Sequence, residues 1–326
     1  MYIKDKLRGI IKFNIFELED KILFRSNGMP TYHFASVIDD YTMNITHVIR
    51  GEEWISSTPI HVIIYNYFKW KLPEFIHLPL ILDPNQKGKL SKRNILTYNF
   101  PIFPIKWYNK KKNNYINGFK EHGFLGDAIT NWLFILGYSN PLKEIFYNIE
   151  DLIKEFDINK INSVNTILDI NKIIWLNKSH INNKSSIELH ELCNDLYQLD
   201  NNILSPKLID IIKNRCTLLS DIIDISKSII IRPNINKNDI TFKLWNNDIA
   251  IFFKKICNLI ERNELDINDL IKFIKINNLN IKNNLIIILR VIITGKSKGP
   301  NINDIINFLG KKEIILRIKI ALISLE

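Results

Sequence analysis

Cysteine, alanine, arginine and long apolar runs are all scarce in this sequence. Three cysteines among 326 residues (Cys193, Cys216, Cys257) stand far apart and without partner spacing. That excludes a disulfide framework and a zinc knuckle and points to a reducing compartment. The apolar run 285–289 is cut by Arg290, far short of the roughly 18 residues a membrane-spanning helix requires. Residues 1–20 alternate charged and apolar side chains, so they do not read as a signal peptide. These absences leave the expectation of a cytoplasmic protein that engages no membrane. His190 and Cys193 have helical i, i+3 spacing, but two ligands do not make a zinc site, and none is expected in this chain. Gly-x-Ser-x-Gly elbows, Walker loops and dinucleotide fingerprints are missing as well.

What is present is enough apolar surface for a sizeable core: 46% of residues are hydrophobic and 24% charged. The chain holds 65 Ile and 41 Asn but 4 Ala, and its 44 basic residues include 9 Arg. Ile, Asn and Lys share A/T-rich codons, so lysine excess is weak evidence for function. The net charge of +10 fits either that codon bias or long-range attraction to a polyanion such as RNA.

The texture changes near residue 140. Before it lie most of the prolines and aromatics, with short apolar runs between turn clusters, the pattern of an α/β domain. The segments 22–24, 31–38, 45–50 and 76–82 read as strands or strand-like. A helix is expected between the last two: Thr58 suits the N-cap, Pro59 the first turn, and Ile60, Ile63, Ile64, Tyr67 and Phe68 fall on one face. Segments 86–93 and 109–117 read as polar, lysine-rich loops. After residue 140 the pattern is almost purely helical. Ser205 and Pro206 open a 3.6-period segment that Pro233 stops, and 239–261, 268–276, 285–293, 303–309 and 312–325 follow.

Three blocks can carry chemistry. Lys87-Gly88-Lys89-Leu90-Ser91-Lys92-Arg93 packs four cations around one glycine, directly after a predicted strand, where α/β sheets bind ligands. Ammonium groups there can stabilise charge on a phosphoryl oxygen; the same run also suits a solvated basic loop. In Thr46-His47-Val48-Ile49-Arg50-Gly51-Glu52-Glu53-Trp54, a scarce arginine leaves a predicted strand. Its planar fork suits a two-point grip on a carboxylate, or an ion pair with Glu52 or Glu53; Gly51 is expected to ease the turn. In the block 28–40, Tyr32, His33 and Ser36 offer polar groups to a pocket, and Asp39-Asp40 suits turn chemistry or a metal.

Taken together, Gly28-Met29-Pro30-Thr31-Tyr32-His33-Phe34-Ala35, Asp39-Asp40, the block 46–54, Ser57-Thr58-Pro59 and His61 resemble the second half of the catalytic domain of the glutamyl-tRNA synthetases, class I aminoacyl-tRNA synthetases. Lys89-Leu90-Ser91-Lys92-Arg93 resembles their Lys-Met-Ser-Lys-Ser loop. Gly123 to Gly137 resembles the stretch leading into the stem-contact region, and Arg290-Val291-Ile292-Ile293-Thr294-Gly295 with Gly299-Pro300 and Leu309-Gly310 the last helices of the anticodon-binding domain. The resemblance implies a partial α/β catalytic domain over 1–105, a stem-contact region over 106–185 and an all-α anticodon-binding domain over 186–326. It implies activation of L-glutamate by ATP with Mg2+ to glutamyl-adenylate, then transfer to tRNA(Glu). Lys92, with Lys89 and Arg93 assisting, would steady the activation transition state. Glu53, Trp54 and the backbone of Leu80 and Ile81 would face the nucleotide, and Tyr32, Arg50 and Ser36, where some relatives have Asn, the glutamate. The His-x-Gly-His motif of class I synthetases does not occur. An amino-terminal synthetase fragment is therefore an expected partner, the alternative being a non-catalytic tRNA-binding fragment or a decayed synthetase.

Overall fold

The computed structural model describes residues 1–85, 88–91, 98, 100–110, 113–138, 144–198, 203–235, 245–277 and 285–325. They form two compact units, Met1–Ile102 with Asp127–Ile173, and Phe103–Gly126 with Ile174–Glu326. No helix among the described residues is long and apolar enough to cross a membrane.

The strands are β1 (Tyr2–Asp5), β2 (Gly9–Lys12), β3 (His47–Gly51), β4 (Glu74–Leu78), β5 (Ile81–Leu82), β6 (Trp107–Asn109), β7 (Asn114–Ile116) and β8 (Thr166–Ile167). The first unit is built on a four-stranded sheet in the order β2-β1-β4-β3. β1 and β2 form an antiparallel hairpin, while β3 and β4 run parallel from His47↔Glu74 to Gly51↔Leu78. Period-2 alternation along β1 buries Ile3 and Asp5 on one face. Two helices cover this sheet, α1 (Tyr32–Thr42) and α2 (Thr58–Tyr67). Val62 of α2 joins Ile3 and Phe75, and Ile64 and Tyr65 pack on Val37 of α1. β5 pairs in parallel with β8. Further on lie α3 (Gly126–Gly137), α4 (Ile149–Glu155) and α5 (Ile170–Asn183).

The second unit carries the β6–β7 hairpin, most of α5 and, among its described residues, α6 (Ser186–Tyr197), α7 (Pro206–Ile212), α8 (Leu219–Ile230), α9 (Asn247–Glu261), α10 (Leu270–Asn277), α11 (Leu285–Thr294) and α12 (Ile302–Leu325). Ser185 and Glu188 close a capping box on α6, a device worth about 1 kcal/mol. Gly123, at φ +88°, brings its backbone against the start of α8; a Cβ there would stand 2.9 Å from the amide nitrogens of Leu219 and Ser220. Gly310 breaks α12 with φ 77°, at the boundary expected between 303–309 and 312–325.

Several expectations are corrected. Residues 31–38 form the first two turns of α1 instead of a strand: Phe34, Val37, Ile38 and Tyr41 stand at i, i+3, i+4 and i+7, so helical periodicity outweighs the aromatic content. Residues 22–24 make only a bridge from Phe24 to Pro30. The run 76–82 is two strands, divided at Pro79, which has no N–H to donate. On α2 the inward face is Thr58, His61, Val62 and Tyr65, while Ile63 and Tyr67 are exposed. The segment opened by Pro206 stops at Ile212, passes through a short 3-10 turn and restarts at Leu219. Of the segment 109–117, expected to be a loop, Asn109 and Asn114–Ile116 belong to the β6–β7 hairpin, and residues 111–112 lie outside the described residues.

Arg317 is the largest fully buried side chain, 1% exposed. Its Nη2 donates to the Ile230 carbonyl at the end of α8 (2.9 Å), Nη1 to the Ile293 carbonyl in α11, and Nε to Glu313 (2.8 Å). Arg232 holds the same carboxylate through two 2.8 Å bonds, and these partners bring Glu313 down to a pKa of about 2. Arg317, from within α12, thus ties down the last turns of α8 and α11. Arg317→Ala strands two carbonyls and leaves the Glu313 carboxylate to Arg232 alone, and is expected to cost about 3 kcal/mol in urea unfolding followed by helical circular dichroism. A loss below about 1 kcal/mol would show that the ends hold without it.

Candidate active site

Near the carboxyl end of β3, Arg50 sends its side chain between α2 and β4. A guanidinium has five N–H donors in a fixed plane and no acceptor. Arg50 Nε donates to His77 Nε2 on β4 (3.0 Å), and Nη2 to Thr58 Oγ1 (2.8 Å) and the Trp54 carbonyl (3.4 Å). Nη1 donates to His61 Nδ1 on α2 (3.3 Å), and the plane lies near Phe75, 5.7 Å from its ring centre. One Nη1 hydrogen is left without a partner among the described residues. The two-point fork grip anticipated for Arg50 therefore meets a fork largely engaged inside the fold.

Because a guanidinium only donates, it dictates the tautomers around it. His77 Nε2 is bare, so its proton sits on Nδ1 and goes to Asp5 Oδ2 (2.7 Å). Asp5 also accepts from the backbone amides of His77, Leu7 and Arg8. His61 Nδ1 is likewise bare, so its Nε2–H donates to His33 Nδ1 on α1 (3.0 Å). Burial, reinforced by Arg50, His33 and His77, pulls the His61 pKa from 6.5 to about 3. Burial also lowers His77, with Arg50 adding to it and Asp5 opposing. Both imidazoles are thereby held neutral. Burial lowers the Arg50 pKa too, against Tyr32, Asp40 and Asp5.

Tyr32 and Trp54 flank this core with ring centres 5.0 Å apart, and Tyr32 is exposed. Next to Trp54, Glu53 Oε1 accepts from Lys89 Nζ at 2.6 Å. Gly51 has φ −69°, open to any residue, so it is not needed for the turn; its missing Cβ instead leaves room for the Glu53 carboxylate, which would lie 2.1 Å away. Glu52 pairs with Arg8 (2.5 Å), not with Arg50. Asp39 and Asp40 lie in the second half of α1, and burial raises the Asp40 pKa against the Arg50 charge. No group of three or more His, Cys, Asp or Glu among the described residues is arranged to hold a metal ion.

Tyr32, Arg50, Glu53, Trp54 and Lys89 are thus brought together. Ser36 lies one turn beyond Tyr32 on α1, half-buried. Leu80 is more committed than anticipated: its N–H donates to Asn165 Oδ1 (2.9 Å) and its carbonyl accepts from Thr166. The Ile81 carbonyl accepts from Leu90 N, within the cationic run. Lys92 and Arg93 lie outside the described residues. The sequence reading missed Asp5, His77 and the bond from Thr58 to Arg50. A signal for Asp5 existed, since alternation places it on the same face as Ile3; a lone histidine in an apolar strand carries none.

The fold and this polar core define a class. Residues 1–175 match the model for tRNA synthetases class I (E and Q), catalytic domain, and residues 188–322 the anticodon binding domain. The chain belongs to the class I tRNA synthetases of this E and Q family. Its relatives include the glutamate–tRNA ligases of Flavobacterium psychrophilum, 35% identical over 100% of this chain and 66% of that protein, and of Azobacteroides pseudotrichonymphae, 36% identical over 98% and 67%. A glutamate tRNA ligase from Elizabethkingia meningosepticum, solved in complex with its amino acid, matches with a TM-score of 0.89 and 34% identity, over 100% of this chain and 66% of that one. The chain spans about two thirds of the length of these relatives.

The protonation pattern has a consequence for stability. With a folded pKa of about 3 for His61 against 6.5 when free, the unfolded chain takes up a proton that the folded chain refuses. This residue's contribution is complete above about pH 6.5 and is lost as pH falls towards 3, by up to about 1.4 kcal/mol per pH unit. Urea unfolding between about pH 7 and 4 is expected to give a shallower pH dependence for His61→Gln than for the unaltered chain. Equal slopes would mean that His61 is not held neutral.

Proposed function

We propose that this chain supplies the glutamate-recognition and anticodon-binding parts of a glutamate–tRNA ligase. In this reading it acts in the cytoplasm with ATP carrying Mg2+, L-glutamate and tRNA(Glu), and an amino-terminal synthetase fragment completes it. The supporting observation is the likeness along the whole chain to a ligase solved with its amino acid, together with an arginine held at a strand exit.

The free Nη1 hydrogen of Arg50 and the hydroxyl of Tyr32 are the two donors offered to the substrate's side-chain carboxylate, with Ser36 assisting. A charge-assisted bond to a half-buried guanidinium discriminates against an uncharged side chain, because the unpaired cation would stay desolvated. Glu53 and Trp54 border the nucleotide, and a contact at the Leu80 amide requires Asn165 to be displaced. Lys92, with Lys89 and Arg93, neutralises charge as the glutamate carboxylate attacks the α-phosphorus and pyrophosphate leaves. Residues 106–185 and 186–326 form the stem-contact and anticodon-binding regions.

The test is ATP–pyrophosphate exchange dependent on glutamate and tRNA, with the chain alone and with an amino-terminal synthetase fragment supplied. Exchange is expected in the supplemented sample; silence in both, with tRNA still bound, would favour the non-catalytic tRNA-binding alternative. In the supplemented enzyme, Lys92→Ala should slow exchange by about 100-fold or more while tRNA affinity changes little. Equal losses in both would refute the role given to Lys92.

A further inference from the structure

The reaction proposed above leaves two buried or half-buried imidazoles, His61 and His33, without a role. Their geometry assigns them one. Arg50 belongs to β3 and Tyr32 to α1, so the two donors offered to the substrate carboxylate stand on separate elements. The side chains of His61 and His33 join those elements: Arg50 Nη1 donates to His61 Nδ1 (3.3 Å), and His61 Nε2 donates to His33 Nδ1 (3.0 Å). His33 neighbours Tyr32, and its ring lies edge-on to both Tyr32 (5.7 Å) and Trp54 (6.3 Å) between centres.

We propose that His61 is a positioning residue which, through His33, sets the separation between the Arg50 guanidinium and the Tyr32 hydroxyl. This rests on the reading of Arg50 and Tyr32 as the carboxylate clamp. His61 is 2% exposed, so water is not at hand to replace it. His77 with Asp5, and Thr58 with Trp54, hold the Nε and Nη2 sides of the fork. His61 alone among the described residues holds Nη1, the nitrogen with a hydrogen to spare. The chain of bonds has one polarity: each proton points from Arg50 through His61 to His33, and the His33 proton is left on Nε2, which has no partner among the described residues. Reversing either ring would set two bare nitrogens or two N–H groups face to face.

The relay is tested in two parts. Long-range 1H–15N spectra of the histidine-labelled chain near neutral pH are expected to show His61 and His33 protonated on Nε2 and His77 on Nδ1; a proton on His61 Nδ1 would overturn the proposal. The second part compares His61→Leu, which removes acceptor and donor, with His61→Gln, whose amide keeps one of each. In the enzyme supplied with an amino-terminal fragment, His61→Leu should raise KM for glutamate about tenfold, roughly the 1.4 kcal/mol of a lost charge-assisted bond. KM for ATP should hardly move, and His61→Gln should recover most of the loss. Parallel changes in both KM values, or no difference between the variants, would overturn it. If the unaltered enzyme is silent, the activity reading fails by itself. The relay is then judged on the Arg50 guanidinium signals of the chain, expected to be resolved with His or Gln at position 61 and merged by rotation in His61→Leu. Resolved signals in all three would refute it.

Discussion

A guanidinium drawn out of water has to find acceptors for donors that all lie in one plane, and around Arg50 that requirement recruits four elements. β4 supplies His77, α2 supplies Thr58 and His61, the turn before α2 supplies the Trp54 carbonyl, and β1 supplies Asp5 to hold His77. None of these groups has a reason to be buried by itself: a carboxylate, two imidazoles and a hydroxyl are costly in an apolar interior. Linked to one cation they satisfy each other. The orientation of α2 follows, because the face it turns inward is set by Thr58 and His61 as much as by Val62 and Tyr65.

The second unit repeats the solution with a different purpose. Arg317 also spends its fork on the interior, but its acceptors are carbonyls at the ends of α8 and within α11, plus one carboxylate shared with Arg232. There the plane serves as a joint among helices and no hydrogen is offered to a ligand. A chain with 9 arginines among 44 basic residues places two of them where an ammonium cannot serve, since a lysine has neither the plane nor the reach to join three acceptors.

The helical half was legible because its apolar positions recur with period 3.6 and its breakers are unambiguous; Ser205, Pro206 and Gly310 act where expected. The α/β half was harder, for reasons that lie in particular residues. Tyr32 to Thr42 is rich in aromatics and sits beside strands, so composition pointed one way and spacing the other, and spacing won. On α2 the apolar residues run nearly all round, so periodicity could not choose a face; the polar pair Thr58 and His61 chose it. Of the residues singled out by the ordered motifs from Gly28 to Arg93, Arg50, Tyr32, Glu53, Trp54 and Lys89 meet in the fold. What no motif carried was the support beneath them: Asp5 and His77 are 72 residues apart in sequence, and their pairing arises only from the sheet order β1-β4-β3.

That sheet order leaves β3 at the end, with no strand on its far side among the described residues and with Ile49 exposed. Parallel strands are ordinarily found covered and flanked, and an uncovered edge is a template that takes up whatever extended backbone it meets. The strand carrying Arg50 near its end is therefore, with β2 at the opposite edge, one of two strands with a row of backbone groups that no strand pairs among the described residues. A strand added in register there would stiffen the support of Arg50, whereas pairing with another copy of the same strand is the start of edge-to-edge aggregation.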